Sequence, residues 1–70
     1  MISLETRLLA AHDRDDTSSL VDLYTEAANA ASHQDASAFY LTQAYIYALD
    51  LGHRNAEHLR KRLVKLGREE

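Results

Sequence analysis

Histidine and carboxylate side chains are the groups in this chain most suited to metal binding or acid–base chemistry. His53 and His58 are five residues apart, near a turn at Gly52, whereas two metal ligands on one helix need a spacing of three or four. His12 precedes three carboxylates within residues 13–16, but this segment lacks the ligand spacing and the glycine of a calcium loop. We interpret these side chains as turn and cap residues and expect no bound metal.

The hydroxyl groups and glycines form no catalytic or phosphate-binding motif. No serine stands in a Gly-x-Ser-x-Gly arrangement, and two glycines are too few for a phosphate-cradling loop. The absence of cysteine excludes disulfides, zinc thiolates and cysteine nucleophiles. A chain of 70 residues also has little room for a substrate pocket of ~300–1,000 Å³. We expect a protein that is not an enzyme, holds no cofactor and takes no small-molecule substrate.

Positive charge is concentrated near the end of the chain. Residues 51–70 carry six cationic side chains and three carboxylates, whereas residues 1–50 carry two cationic side chains and eight carboxylates. The net charge of the whole chain is −3. A short turn at 52–54 precedes this segment, as in a helix-turn-helix, so the basic helix would fit a major groove. The net negative charge disfavours nucleic acid as a partner. The other interpretation is a solvated face, or cations paired with Asp22 and Glu26.

Composition and apolar spacing predict an all-α fold in a single domain, residues 1–70. There is no proline, and alanine and leucine supply 22 residues. Apolar residues at helical spacing predict helices at about 4–12, 17–32, 36–51 and 56–66. Short loops predict two antiparallel helical hairpins, leaving open whether they close into a small bundle or stack as a solenoid. The predicted N-caps are Ser3, Asp16 or Thr17, Asp35 and Asn55, and the predicted closing glycines are Gly52 and Gly67.

The third predicted helix is apolar nearly all round. One set of its apolar residues contains Phe39, Ile46 and Leu49, and a further stripe contains Tyr40, Ala44, Tyr47 and Leu51. Tyrosine is favoured at interfaces because it buries a large area and keeps a polar group. We predict an interaction surface from this stripe and the basic edge of the fourth helix, with packing against the first or fourth helix as the alternative for the tyrosines. Its residues are Tyr40, Tyr47, Leu51, Arg60, Lys61, Arg62 and Lys65.

Residues 44–59, AYIYALDLGHRNAEHL, resemble the junction between helical repeats in the tetratricopeptide superfamily, especially its Sel-like branch. Tyr45 and Ala48 stand where that family places a bulky aromatic residue and a small alanine, and Gly52-His53 stands at its inter-repeat turn. The resemblance spans about residues 20–66 and is most specific over 44–63. It implies a helical-hairpin scaffold that binds proteins and has no catalytic residue.

The apolar segments of the chain are too short for a membrane span. The longest apolar run is residues 44–49, and the N-terminal segment contains Glu5 and no leading basic region, unlike a secretory signal. We therefore predict a small non-catalytic cytoplasmic module that binds another protein, or itself as a homodimer. The alternative is a nucleic-acid-binding or transcription-modulating protein that uses the basic face of the fourth helix.

Overall fold

The chain folds into four α-helices in a computed structural model that describes residues 3–52 and 54–67. They are α1 (Leu4–Asp13), α2 (Thr17–Ala30), α3 (Gln34–Leu51) and α4 (Ala56–Lys65). No strand occurs within these ranges. The predicted all-α class with four helices is confirmed.

Side-chain caps begin the first two helices. The Ser3 hydroxyl accepts a hydrogen bond from the Thr6 N–H at 3.1 Å. The Asp16 carboxylate accepts one from the Ser19 hydroxyl at 2.7 Å and one from the Ser19 N–H at 3.3 Å. These bonds to the carboxylate hold the pKa of Asp16 below its ordinary value. Both predicted caps are confirmed, and each satisfies a backbone N–H that lacks a partner inside its helix.

The junction between α2 and α3 differs from the prediction. Helix α2 ends at Ala30, two residues before the predicted end, and α3 begins at Gln34, two residues before the predicted start. The backbone of Ala31 is already extended, with ψ of 138°. His33 occupies the N-cap of α3 with extended backbone and no capping side-chain hydrogen bond. Asp35 therefore lies in the first turn of α3, so its prediction as the cap was wrong. A carboxylate is favoured at either position, so the residue type alone does not distinguish a cap from a first-turn residue.

The ends of α3 and α4 follow the predicted glycines. Gly52 has a left-handed φ of 64°, and its N–H donates to the carbonyls of Ala48 and Leu49. Gly67 has a φ of 75° just after α4. Asn55 occupies the predicted N-cap of α4, although no capping hydrogen bond comes from its side chain. Glycine adopts this left-handed backbone without the steric cost that a Cβ brings.

The helices pack in sequence order as an open row. The contact between α2 and α3 is the most extensive. Helix α1 packs on α2, and helix α4 packs on α3. Within the described ranges, no Cα atom of α1 lies within 8 Å of α3 or α4, and none of α2 lies within 8 Å of α4. An up-and-down bundle that closes on itself brings its first and last helices together, which this arrangement does not do.

Two groups of buried side chains form the core. The main group joins α2, α3 and α4, and the smaller one joins α1 to α2. Tyr24 and Tyr47 pack against both groups and so connect them. The main group consists of Val21, Ala28, Leu41, Ala44, Ala48, Leu59 and Leu63, and the smaller group of Ala11, Leu20 and Leu23.

Candidate interaction surface

Four aromatic rings from three helices form a cluster beside the core. The ring of Tyr24 stacks with the rings of Tyr40 and Tyr47, with centroids 6.3 Å and 5.9 Å away. The His12 ring meets Tyr24 at 6.0 Å and Tyr47 at 6.2 Å, in edge-on geometry. Offset and edge-on pairs are the favourable arrangements of aromatic rings, so this cluster links α1, α2 and α3.

A hydrogen bond between His12 and Tyr24 adds a polar contact to the cluster. The Tyr24 hydroxyl lies 3.0 Å from His12 Nε2. Burial raises the pKa of Tyr24, and the neighbouring Tyr47 and Tyr40 raise it further. The phenol therefore stays protonated at neutral pH, and the contact offers no strong nucleophile.

The predicted tyrosine stripe is divided between the protein interior and the solvent. Tyr40 and Tyr47 are half-buried, and both stack on Tyr24 of α2. Leu51 is 49% exposed at the end of α3. For Tyr47, the contact with His12 of α1 matches the alternative interpretation of packing against the first helix. The tyrosines therefore join helices, and only Leu51 of this stripe lies largely in solvent.

The other apolar set of α3 is the more exposed one. Phe39, Ile46 and Leu49 are 58%, 51% and 55% exposed, and their spacings of seven and three place them on one side of the helix. We call these three residues the α3 face. Thr42 lies between them in this register, and its hydroxyl donates to the Ala38 carbonyl at 2.8 Å. No charged residue occurs in residues 36–49, so the three residues of the α3 face lie within an uncharged segment.

The sequence pattern places Phe39, Ile46 and Leu49 on one side of the helix but does not predict whether that side faces the core or the solvent. A helix with apolar residues nearly all round lacks the polar side that marks solvent exposure on an ordinary amphipathic helix. Both stripes of α3 have helical spacing, so the choice between them depends on contacts with α2 and α4. The available signal was the high apolar content of α3, which is typical of a helix that is central in its fold or has one face covered by a partner.

The four predicted basic residues lie along α4. Lys61 and Lys65 are exposed, and Arg60 and Arg62 are half-buried. Within the described part of the chain the ion pairs join Arg7 to Glu26, at 2.8 Å, and Arg14 to Asp16, at 3.5 Å. Glu26 thus pairs with Arg7 of α1 and not with α4, so the alternative in which the α4 cations pair with Asp22 and Glu26 was wrong for Glu26. The physical reason is that α4 packs on α3 and does not approach α2. Arg68 lies outside the described residues.

Two grooves lined by both polar and apolar side chains lie between neighbouring helices. The first, of about 400 Å³, lies between α1 and α2, and its walls include Arg7 and Arg14, which are both paired with carboxylates. The second, of about 280 Å³, lies between the start of α3 and the end of α4 and is lined by Ser37, Leu41, Arg62, Lys65 and Leu66. This groove also shows that α3 and α4 run antiparallel, because the first turns of α3 lie beside the last turns of α4.

His12 and His58 lie on different helices, α1 and α4. His12 belongs to the aromatic cluster, and His58 is exposed on α4. His53 lies outside the described residues. Among residues 3–52 and 54–67, no three His, Asp or Glu side chains are grouped as ligands of one ion. No helix within the same ranges combines the length and apolar character needed to cross a bilayer.

Comparisons of the chain with protein-family models, with curated proteins and with solved structures found no match.

Proposed function

We propose that this chain is a small, non-catalytic protein–protein interaction module of the cytoplasm and that the α3 face is its contact surface. The observation that carries the proposal is the exposure of Phe39, Ile46 and Leu49 on one side of an uncharged helical segment. Contiguous exposed apolar residues on a small protein are typical of sites that other molecules cover.

The surroundings of the α3 face fit an interface with an apolar centre and a charged rim. Asp35 and Asp50 mark the two ends of the uncharged segment, and both side chains are exposed. Interfaces are depleted of charge at their centre, where apolar area is buried, and polar at their rim, where charge selects the partner. The tetratricopeptide-like residues 44–63 and the open row of helices support the same scaffold role.

A comparative affinity capture tests the proposal. Wild type, Ile46→Glu and Leu9→Glu are immobilised separately, and extract of the cells that produce the chain is passed over each. Leu9 is the matched control because it is 60% exposed on α1 and lies off the α3 face. We expect at least one protein to bind wild type and Leu9→Glu and to be lost with Ile46→Glu, and to bind again when purified and titrated calorimetrically.

The result that contradicts the proposal is equal retention of every captured protein by wild type and Ile46→Glu. Far-UV circular dichroism of all three proteins is the folding control. A helical Ile46→Glu that still binds every captured protein shows that the α3 face is not the contact surface.

Nucleic-acid binding is the second candidate, and the cations of α4 favour it. No described carboxylate lies within 4 Å of the cationic groups of Arg60, Lys61, Arg62 or Lys65. Cations that are not neutralised by carboxylates are available to phosphates, and binding through them weakens steeply with salt. A fluorescence anisotropy titration with duplex DNA over a salt series tests this function. If wild type does not bind duplex DNA at ~50 mM salt, α4 does not have this role. The same conclusion follows if the double variant Lys61→Ala/Lys65→Ala binds as tightly as wild type.

A further inference from the structure

We propose that the groove between the start of α3 and the end of α4 binds a phosphate monoester that carries a small apolar substituent. In this site Ser37, Arg62 and Lys65 hold the phosphate, and Leu41 and Leu66 contact the substituent. The inference goes beyond the proposed function, because the groove shares no residue with the α3 face. Three observations support it: two cations and a hydroxyl converge on one groove, no described carboxylate neutralises the cations, and apolar side chains lie beside them.

The hydrogen-bond donors of the groove come from two helices. Arg62 and Lys65 are three residues apart on α4, a spacing that places two side chains on the same side of a helix. Because α3 and α4 run antiparallel, the half-buried Ser37 of α3 lines the same groove. Guanidinium, ammonium and hydroxyl groups all donate hydrogen bonds to anionic oxygens, and the bonds from the two cations are charge-assisted. The groove is therefore suited to an anion with several oxygens.

The charge of the groove selects a dianion. No described carboxylate lies within 4 Å of the cationic groups of Arg62 or Lys65, and none is among the described residues that line the groove. Asp35 lies two residues before Ser37 in the first turn of α3 and does not line it. A phosphate monoester carries nearly two negative charges at neutral pH, whereas a carboxylate or a phosphate diester carries one. Two cations therefore complement the monoester better than either of the other groups.

The size and the apolar lining of the groove limit what the phosphate carries. The volume of about 280 Å³ is just below the ~300–1,000 Å³ of typical small-molecule sites. Leu41 and Leu66 line the groove beside the polar groups, and a few convergent polar groups among apolar side chains are the usual composition of a ligand site. A substituent of the size of one ring or a short apolar chain therefore fits.

An NMR titration of the whole chain with phenyl phosphate tests the inference. At about pH 7.5 this ester is largely a dianion, because its second pKa is about 6. At low ionic strength, where salt screens the cations least, we expect the amide signals of the groove residues to shift and to saturate at millimolar ligand. Methyl phenyl phosphate is the matched ligand, since it keeps the ring and the phosphate but has one charge. It should bind about tenfold more weakly.

Two double variants of α4 separate the groove from general attraction to a basic helix. Arg62→Gln/Lys65→Gln removes the cations that line the groove, and Arg60→Gln/Lys61→Gln removes two cations that do not. Both variants have the same net charge, and circular dichroism checks that both remain helical. We expect the first to bind phenyl phosphate about tenfold more weakly than wild type and the second to bind nearly as wild type does. Equal affinities of the two double variants, or a wild type whose groove signals do not shift, overturn the inference.

A phosphoserine peptide distinguishes a phosphorylated protein from a free ester as the source of the phosphate. The probe is a tripeptide with blocked ends, in which phosphoserine lies between two leucines. If it binds more tightly than phenyl phosphate, the source is a phosphorylated protein, and if it binds more weakly, the source is a free small ester. Ile46→Glu should bind phenyl phosphate as wild type does, because the α3 face is separate from the groove. Failure of phosphate binding therefore leaves the capture experiment described above as the independent test of the proposed function.

Discussion

The ring of Tyr24 stacks on the ring of Tyr47 with centroids 5.9 Å apart and planes 16° from parallel. Tyr24 lies on α2 and Tyr47 on α3, and both rings also pack against the buried group that α1 shares with α2. The backbone of α1 does not approach α3. These two side chains therefore contact both buried groups, and they add to the direct packing of α1 on α2.

Removing the Tyr47 ring should destabilise the fold far more than removing its hydroxyl. Tyr47→Ala deletes a half-buried ring that contacts both buried groups, and we expect a loss of about 2 kcal/mol in the free energy of unfolding. Tyr47→Phe retains the ring and its contacts with Tyr24 and His12, so its change should stay within ~0.5 kcal/mol. Urea denaturation followed by circular dichroism measures both. Equal losses would show that the ring contacts do not stabilise the row.

High pH should destabilise the protein through Tyr24. Burial raises the pKa of Tyr24 above its ordinary value of 10.0, so the folded state holds this proton more tightly than the unfolded chain. The contribution of Tyr24 is fully present below pH 10.0 and is lost as the pH rises through the higher pKa of the folded state.

Urea denaturation at a series of pH values on both sides of that window measures the effect. Tyr24→Phe is the matched variant because it retains the ring and cannot ionise, and it should lose less stability than wild type over the same interval. Identical pH profiles for the two proteins would contradict a raised pKa at Tyr24.

The two sides of α3 should respond differently to truncation. Leu41 is 1% exposed and belongs to the main buried group, whereas Ile46 is 51% exposed. Leu41→Ala should cost about 2–5 kcal/mol, because it leaves a cavity in the core. Ile46→Ala should cost less than about 1 kcal/mol in dilute solution, where little apolar area is lost from the folded state. Thermal or urea unfolding measures both costs, and a cost at Ile46 as large as that at Leu41 would show that the α3 face is buried.

The backbone at Gly52 should tolerate asparagine better than alanine. Its φ of 64° is left-handed, and an added Cβ would meet no atom within 4 Å, so any cost comes from backbone conformation alone. Gly52→Ala should lose about 1–2 kcal/mol, and Gly52→Asn should lose less because asparagine adopts this conformation more readily. Urea titration measures the free energy of unfolding of both variants. If the two variants lose the same amount of stability, the left-handed backbone at residue 52 is not the cause of the loss.

Local chemistry was sufficient to predict the helices and most of their ends. Absence of proline, the alanine and leucine content, and the caps at Ser3, Asp16 and Gly52 act within a few residues of where they stand, so these features were predicted correctly. The exception was Asp35, which lies in the first turn of α3 and not at its cap. A carboxylate is stabilised at both positions by the same backbone N–H groups, so its type does not specify which one it occupies.

The sequence by itself determined that this is an all-α chain of four helices, because helix propensity, apolar period and capping are local properties. Only the tertiary structure decided which side of α3 faces solvent and which partner each charge takes. Tyr40 and Tyr47 turn inward because Tyr24 of α2 stacks on them, which leaves Phe39 and Ile46 outside. Glu26 pairs with Arg7 because α1, not α4, packs on α2. Such choices depend on contacts between residues distant in sequence, which the periodicity of one helix does not contain.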